Sequence, residues 1–475
     1  MIVSTEPLEW RPRVIVIGGG IAGLTAARDL LVSMPRASVV LVDASDRVGG
    51  KVRREEIGGH LVDVGAEAML AVRPEALDLV SGLADPADVV TPTTTSARVW
   101  SRDGLHPLPR TRIGVPFADS VVAGLLTTDE ESRMRAETEA PDVGDDVSVA
   151  DYIGGRLGSA VVDRLVEPLL GGVYAGESRR LSLRATMPAV WAIAQARGSL
   201  LAPPVVDPQA GTARPPFIGI AGGVGRLADL LAADIEQRGG VIESGTIVRG
   251  LERTQSGWSV LSGPTTQPRR LEADAVVVAV PPPAAARLLG PVSASASTAL
   301  AEIEMASVAV ITLAVPKAEV ASWEGSGFLV PPVDGRGIKA STFSSAKWGW
   351  LAAEGDDTAY LRASVGRAGE TASLQRDDAE LVDLAVREIS EAVGAPPLTL
   401  VDSHVQRWGG GLPQYTVGHV NRIARVSQAV SEVPGLEVAG AAYRGIGIPA
   451  VIASAHAAAA ATTTHLRAVA ARAGE

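Results

Sequence analysis

An α/β fold containing a Rossmann-like parallel unit is predicted by three observations in this 475-residue chain. The apolar run Val14-Ile15-Val16-Ile17 leads directly into Gly18-Gly19-Gly20-Ile21-Ala22-Gly23, and a small-residue helical stretch follows. A second apolar run, Val39-Val40-Leu41-Val42, ends in the acid Asp43. Far along the chain, Leu436-Glu437-Val438-Ala439-Gly440 reads as a short strand stopped by glycine before an alanine-rich helix. A strand, tight turn and helix N-terminus aim free backbone N–H groups and a positive dipole end at one point, where a pyrophosphate can sit. The unit is therefore expected to bind a dinucleotide.

Each glycine of the turn has its own task. Gly18 permits the sharp exit from the strand, Gly20 leaves room for phosphates against the backbone, and Gly23 lets the helix pack closely on the strand. Gly19 and Ala22 complete the turn. The helix is expected to run over 24–31 and to stop near Pro35. Asp43 follows the last glycine by about 20 residues, the spacing at which a carboxylate meets the adenosine ribose.

Composition narrows the class. With 46% apolar residues the chain can bury a large core, and a formal net charge of -11 argues against a nucleic-acid binder. No apolar run reaches the ~18 residues of a membrane span. Glu6, Glu9 and Pro12 before the first strand do not read as a signal peptide. The expectation is a cytoplasmic protein, with peripheral membrane contact left open. There is no cysteine. Disulfides, thiol redox chemistry and cysteine-ligated metal are therefore excluded, and so is a flavin tethered through sulfur. Redox chemistry has to come from a bound organic cofactor. Lysine occurs only at Lys51, Lys317, Lys339 and Lys347.

The segment after Asp43 separates FAD from NAD. Ala44, Arg47 and the pair Gly49-Gly50, followed by Lys51, resemble the second glycine loop of flavoproteins of the glutathione-reductase and amine-oxidase group. There the loop passes beneath a non-covalent FAD. In such folds the C-terminal strand-turn-helix, here Gly440 through Ile446-Gly447-Ile448, returns to the flavin N1–C2=O edge. Helical periodicity over 225–238 and strand-like stretches at 241–251, 258–261 and 275–280 suggest a further piece of the cofactor unit, ended by Pro281-Pro282-Pro283. Val248 is the candidate for a backbone contact to adenine. The cofactor domain is thus expected to be discontinuous, at 1–84, 215–295 and 428–475. A mostly helical insertion is expected at 85–182, and a mixed-sheet substrate domain at 183–214 with 296–427. Within these, 298–314, 327–343 and 358–365 read as strands, 380–393 as an amphipathic helix, and 127–146 as an acidic surface segment.

Taken together, the motifs resemble the FAD-dependent protoporphyrinogen/coproporphyrinogen oxidases of haem biosynthesis. Val62-Asp63-Val64-Gly65-Ala66-Glu67-Ala68 is similar to that family's glycine loop under the flavin, with Ala66 where proline is usual. Leu105-His106-Pro107-Leu108-Pro109 resembles its hairpin before the helical domain. Glu167-Pro168-Leu169-Leu170-Gly171-Gly172-Val173-Tyr174-Ala175-Gly176 is the most specific match. Arg407-Trp408, Pro413-Gln414-Tyr415 and Gly418-His419 form another, and Gly440 with Tyr443-Arg444-Gly445-Ile446-Gly447-Ile448-Pro449 completes the set.

The resemblance implies a six-electron oxidation of a porphyrinogen, with FAD as acceptor and molecular oxygen as the final oxidant, giving hydrogen peroxide. Coproporphyrinogen III is the favoured substrate, and protoporphyrinogen IX or an amine are alternatives. The resemblance leaves handover of product to ferrochelatase open. The protein's task is to hold a meso carbon over the flavin N5 and exclude water, so no general base is assigned. Cofactor contacts are expected from Gly18, Gly19, Gly20, Ala22, Gly23, Asp43, Ala44, Arg47, Gly49, Gly50, Lys51, Gly65, Ala66, Glu67, Val248, Trp408, Gly440, Ile446, Gly447 and Ile448. Arg98 and Lys339 are substrate candidates, with Arg184 and Arg444 behind them, because propionates call for cations, and Tyr174 is a third candidate, for packing against the macrocycle. His106, His404 and His419 read as hydrogen-bonded structural residues, and their spacing fits no metal site.

Overall fold

The computed structural model describes residues 10–203, 215–354 and 357–473. Glu6, Glu9 and the end of the 183–214 stretch lie outside these residues.

Five parallel strands form the central sheet, in the order Val241–Glu243, Ser38–Val42, Arg13–Ile17, Ala275–Val278 and Leu436–Val438. Start, middle and end of the chain all contribute to it. Successive side chains of a strand point to opposite faces, and here both faces are covered. Val14 and Val16 pack with the helices Ile21–Ser33, Arg226–Gln237 and Ile448–Ala473, while Ile15 and Ile17 pack on the other side with Trp258, Val260 and Leu289. That is why the first strand reads as an unbroken apolar run. Asp63 accepts the backbone N–H groups of Val224 and Gly225 at 2.8 and 2.9 Å, capping the helix Arg226–Gln237.

A seven-stranded sheet makes the second layer. Its order is Asp402–Pro413, Met305–Pro316, Thr358–Val365, Ala340–Thr342, Gly327–Leu329, Ala97–Ser101 and Gly104–Pro107. All neighbours are antiparallel except Gly327–Leu329 with Ala97–Ser101. The helix Asp378–Val393 lays Leu381, Leu384, Ala385 and Ile389 on this sheet. It opens with a capping box between Asp377 and Glu380 and stops at Gly394, whose φ is +68°.

A helical cluster surrounds Tyr152, Ile153, Leu165, Leu170 and Trp191. One of its helices carries a wide π-type turn at Val162–Val166 before continuing as Glu167–Tyr174. Pro168 accounts for this, since it has no N–H for the Arg164 carbonyl and its ring crowds that carbonyl.

The packing departs from expectation at several points. The 241–251 stretch is two strands in two sheets, split by a turn at Gly245 with φ +65°. The 298–314 stretch begins instead within the helix Ala294–Ala301, which buries Ala296, Ala299 and Leu300 at helical spacing after a Ser293 cap. The 327–343 stretch is two short strands, interrupted at Pro332–Asp334 where proline removes ladder donors. Pro282 opens the helix Pro282–Leu289 as well as ending the sheet. The acidic 127–146 segment contains the helix Thr128–Arg135, begun by a Thr127–Glu130 capping box. Residues 97–107, expected in the helical insertion, join the seven-stranded sheet. Conversely, Leu183, Val190, Leu200 and Leu201 extend the helical cluster into the stretch assigned to the substrate domain.

Candidate active site

A cavity of about 960 Å³ opens between the two sheets and the helix Glu167–Tyr174. That volume is at the upper end of the ~300–1,000 Å³ typical of small-molecule sites. On one side it is lined by Gly18, Gly20 and Ala22, by Asp43, Arg47, Gly49, Gly50 and Lys51, and by Gly65, Ala66 and Glu67. Trp408, Gly440, Ile446 and Ile448 close this side, and Lys339 faces the cavity from the seven-stranded sheet. Gly19, Gly23, Ala44, Val248 and Gly447 are not among the lining residues, and neither are Arg98 and Tyr174.

The nucleotide end has the shape the glycine pattern demands. A Cβ on Gly18 would come within 2.6 Å of the Ala279 carbonyl oxygen, at a φ of +111°. One on Gly23 would overlap the Gly18 carbonyl oxygen. One on Gly20 would meet nothing within 4 Å, because it would project into the cavity. Gly20 is free of close neighbours on the side where a ligand backbone would lie. The Asp43 carboxylate accepts the Gly19 and Ser45 N–H groups at 2.5 and 2.7 Å, which fixes it at the strand end. The second glycine loop is tied to the first by Gly49 N–H to the Gly19 carbonyl at 2.8 Å. Lys51 reaches the cavity, and burial lowers its pKa. No described residue pairs with its ammonium. A glycine cradle with an unanswered cation suits an anionic dinucleotide. Val248 is buried, and its carbonyl accepts a hydrogen bond from Arg287 at 3.1 Å.

Next to this end, Gly65 lies under Trp408, whose indole N–H reaches the Val64 carbonyl at 3.4 Å. Glu67 is held by Lys347 at 2.7 Å, Arg362 at 2.6 Å and the Ser344 hydroxyl at 3.0 Å. Burial by itself would raise this carboxyl; the two cations outweigh it and hold the group well below the ordinary carboxylate range. Arg362 also donates to the Gly65 carbonyl at 2.5 Å. Lys347 and Arg362 escaped the sequence reading. For Arg362 the signal available was a charged residue in the middle of the apolar strand Thr358–Val365; Lys347, at the end of the short helix Ser344–Lys347, offered none.

The loop 440–446 is braced from below. The Tyr415 hydroxyl donates to the Ala441 carbonyl at 2.6 Å and accepts the Gly445 N–H at 2.9 Å. His419 stacks on Tyr415 with centroids 3.8 Å apart, and its Nε2 is 2.9 Å from the Ala442 carbonyl. Burial pushes His419 down to about 4 against the opposing Ala442 bond, so the ring is neutral at physiological pH.

The remaining candidates divide clearly. Arg98 does not line the cavity and pairs with Glu324 at 3.3 Å; it shares its strand face with Trp100, which packs with the core under the helix Asp378–Val393. Tyr174 lines no part of the cavity. Its helix shows Leu169, Gly172 and Val173 to the cavity, and one further residue rotates the tyrosine into the core beside Tyr415. Arg184 binds the Asp145 carbonyl and Asn421 at 3.2 and 3.3 Å, and Arg444 is exposed. His106 meets the Ser101 carbonyl at 3.1 Å, and none of His106, His404 and His419 lines the cavity. The wall opposite the glycine loops is apolar, made by Leu169, Val173, Met305, Val308, Val310 and Leu329. No helix among the described residues is long and apolar enough to cross a membrane.

Comparison with known proteins bears on this arrangement. The model of the flavin-containing amine oxidoreductase family matches residues 21–463. A coproporphyrinogen III oxidase of Mycobacterium tuberculosis is 37% identical over 447 residues, spanning 93% of this chain and 95% of that protein. The coproporphyrinogen III oxidase of Bacillus subtilis is 31% identical over 461 residues, with 92% and 95% covered. The crystal structure of a protein assigned as a protoporphyrinogen oxidase, from Exiguobacterium sp. 255-15, superposes with a TM-score of 0.82. It is 28% identical and covers 95% of this chain and 99% of its own.

Proposed function

This chain belongs to the flavin-containing amine oxidoreductases, as an FAD-dependent oxidase related to the coproporphyrinogen III oxidases, and from that premise we propose that it oxidises coproporphyrinogen III to coproporphyrin III. The reaction removes six electrons and six protons. Each dioxygen accepts two of each as hydrogen peroxide, so one ring consumes three.

The observation that carries this reading is the contrast between the two walls of one cavity. One wall is a glycine cradle with cations. The other is largely apolar, with Lys339 as its cation, and among the described residues it presents neither a carboxylate nor a histidine. Such a wall suits a large carbon framework that loses hydride with assistance from its own pyrrole nitrogens. Bound FAD supplies a two-electron acceptor at its N5 atom.

In this reading Gly18, Gly20 and Ala22 accommodate the pyrophosphate, and Asp43 takes the ribose hydroxyls. Arg47, Gly49, Gly50 and Lys51 carry the second loop. Gly65, Ala66 and Trp408 support the ring system, and Gly440, Ile446 and Ile448 border its far edge. Glu67 holds the Gly65 loop in place through Arg362, which also donates to the Gly65 carbonyl. Leu169, Val173, Val308 and Leu329 position the substrate macrocycle and exclude water. The parallel-sheet unit would hold the cofactor, and the seven-stranded sheet with the helix Glu167–Tyr174 would hold substrate.

The test is a steady-state comparison of coproporphyrinogen III with protoporphyrinogen IX, read by porphyrin fluorescence and by peroxide yield. A higher kcat/KM for coproporphyrinogen III, with three peroxides per porphyrin, is expected. Preference for protoporphyrinogen IX would overturn the substrate assignment. Absence of porphyrin with both, from a yellow protein, would overturn the reaction.

A further inference from the structure

One charge on the apolar side of the cavity is left unanswered by its surroundings. Among the described residues, six cationic side chains line the cavity: Arg47, Lys51, Arg53, Lys339, Lys347 and Arg362. Arg47 and Arg53 share Glu55, while Lys347 and Arg362 share Glu67. Lys51 and Lys339 have no acidic partner among the described residues. Lys51 belongs to the glycine loops, since its carbonyl accepts the Ala66 N–H at 3.0 Å. Lys339 sits on the opposite wall.

Lys339 is only 4% exposed, yet it lines the cavity. Its backbone is fixed by N–H to the Ser364 carbonyl at 2.8 Å and by its own carbonyl to Val330 N–H at 2.9 Å. Among the described residues, no carboxylate pairs with it directly; Glu370 favours its charge only weakly. Arg367 is buried and adds positive potential, and its own carboxylate contact is Glu370, 3.7 Å away and half in solvent. Glu388, the buried acid of the packed helix, spends both oxygens on the N–H groups of Gly337 and Ile338 at 2.9 Å. Burial, with a smaller contribution from Arg367, pushes the Lys339 amine down to about 7. An ammonium held in an apolar wall without an anion is costly, and packing alone would be served as well by methionine. What compensates that cost is an anion that arrives with the ligand.

We propose that Lys339 is the receptor for one carboxylate of the substrate, placed so that Leu169, Val173, Val308 and Leu329 enclose the apolar ring from which that carboxylate projects. The proposal rests on the porphyrinogen reading and deepens it. On this apolar wall a single unpaired cation reads a single propionate. The other carboxylates gain nothing comparable there, so recognition is of one edge of the macrocycle.

The test uses the oxidised holoenzyme and the product, so that no turnover is needed. Coproporphyrin III and its tetramethyl ester are titrated against wild type and Lys339→Met, with porphyrin fluorescence as readout. Removing one partner of a desolvated charge pair costs affinity by about 30-fold or more. Lys339→Met should therefore weaken coproporphyrin III by that factor and leave the ester unchanged. Lys339→Gln, which keeps a donor without the charge, should fall between. In wild type above pH 7, binding of the acid should take up a proton, seen as a buffer-dependent calorimetric heat, and binding of the ester should not. Equal affinity of wild type for acid and ester, without proton uptake, would overturn the proposal even if neither variant folds. So would equal losses for acid and ester in Lys339→Met. Wild-type failure to oxidise any porphyrinogen would instead remove the functional reading, which separates the two outcomes.

Discussion

Gly20→Ala separates the nucleotide-binding role of the first turn from its folding role. Gly20 is the N-cap of the helix Ile21–Ser33, with φ −72° and ψ 177°, a conformation alanine adopts freely. Its Cβ would meet no protein atom within 4 Å. The folding cost is then that of a poorer N-cap, about 0.5–1 kcal/mol. The added methyl stands in the cavity where the pyrophosphate is expected. Overpacking of that kind costs about 1–3 kcal/mol, a loss of roughly 5- to 150-fold in affinity. Gly23→Ala is the counterpart. Its methyl would overlap the Gly18 carbonyl oxygen, with the carbonyl carbon 3.0 Å away, so strand and helix must separate. Apoprotein is titrated with FAD by quenching of flavin fluorescence, and its melting is followed in parallel. Gly20→Ala should melt within a few degrees of wild-type apoprotein and bind FAD far more weakly. Gly23→Ala should lose both. Wild-type FAD affinity in Gly20→Ala, or apoprotein melting as poor as that of Gly23→Ala, would refute the division of roles.

Three further outcomes follow from the same geometry. Glu67→Ala leaves Lys347 and Arg362 buried without their anion, which should cost about 3–5 kcal/mol and be visible as early melting with flavin release. Because the folded Glu67 pKa is depressed, its contribution is present above the unfolded value of about 4.3 and is lost as pH falls below it. Melting of wild type should therefore drop on the acid side, and Glu67→Gln should flatten that drop. Tyr415→Phe removes the hydroxyl that bridges Ala441 and Gly445, worth about 1–3 kcal/mol to the loop, and should raise the FAD Kd and shift the flavin absorption bands; unchanged values would show the loop to be held by other contacts. For Lys339, the folded pKa is lowered, so substrate KM should rise as pH increases through about 7, under the influence of Arg367 and Glu370; a pH-independent KM would contradict its carboxylate role.

Much of the fold was legible because its signals are local. The apolar run, glycine turn and helix of the first unit are contiguous, and each residue's task follows from backbone sterics. The apolar run at Thr358–Val365 and the amphipathic pattern within Asp378–Val393 are likewise complete within a few residues. Legibility failed where a segment's partner decides its form. The alanines of Ala294–Ala301 favour helix, but the segment runs straight on to the strand Met305–Pro316, and packing against the helices Pro282–Leu289 and His419–Ser431 sets where the helix ends. Residues 97–107 resemble a free hairpin until the parallel partner Gly327–Leu329 places them at the edge of the seven-stranded sheet.

By itself, the sequence determined the dinucleotide turn, the non-cysteinyl character of its redox chemistry and the identity of the motifs that surround the cavity. Those follow from covalent geometry and residue type, which need no distant partner. Only the tertiary structure decided which charges are spent and which are free. Glu67 is paired with Lys347 and Arg362, 280 and 295 residues away, and Arg98 is paired with Glu324. Lys339 is left buried on the apolar wall with no carboxylate paired to it among the described residues. The value of a charge depends on its solvent and its neighbours in space, and chain order specifies neither until the two sheets have closed around the cavity.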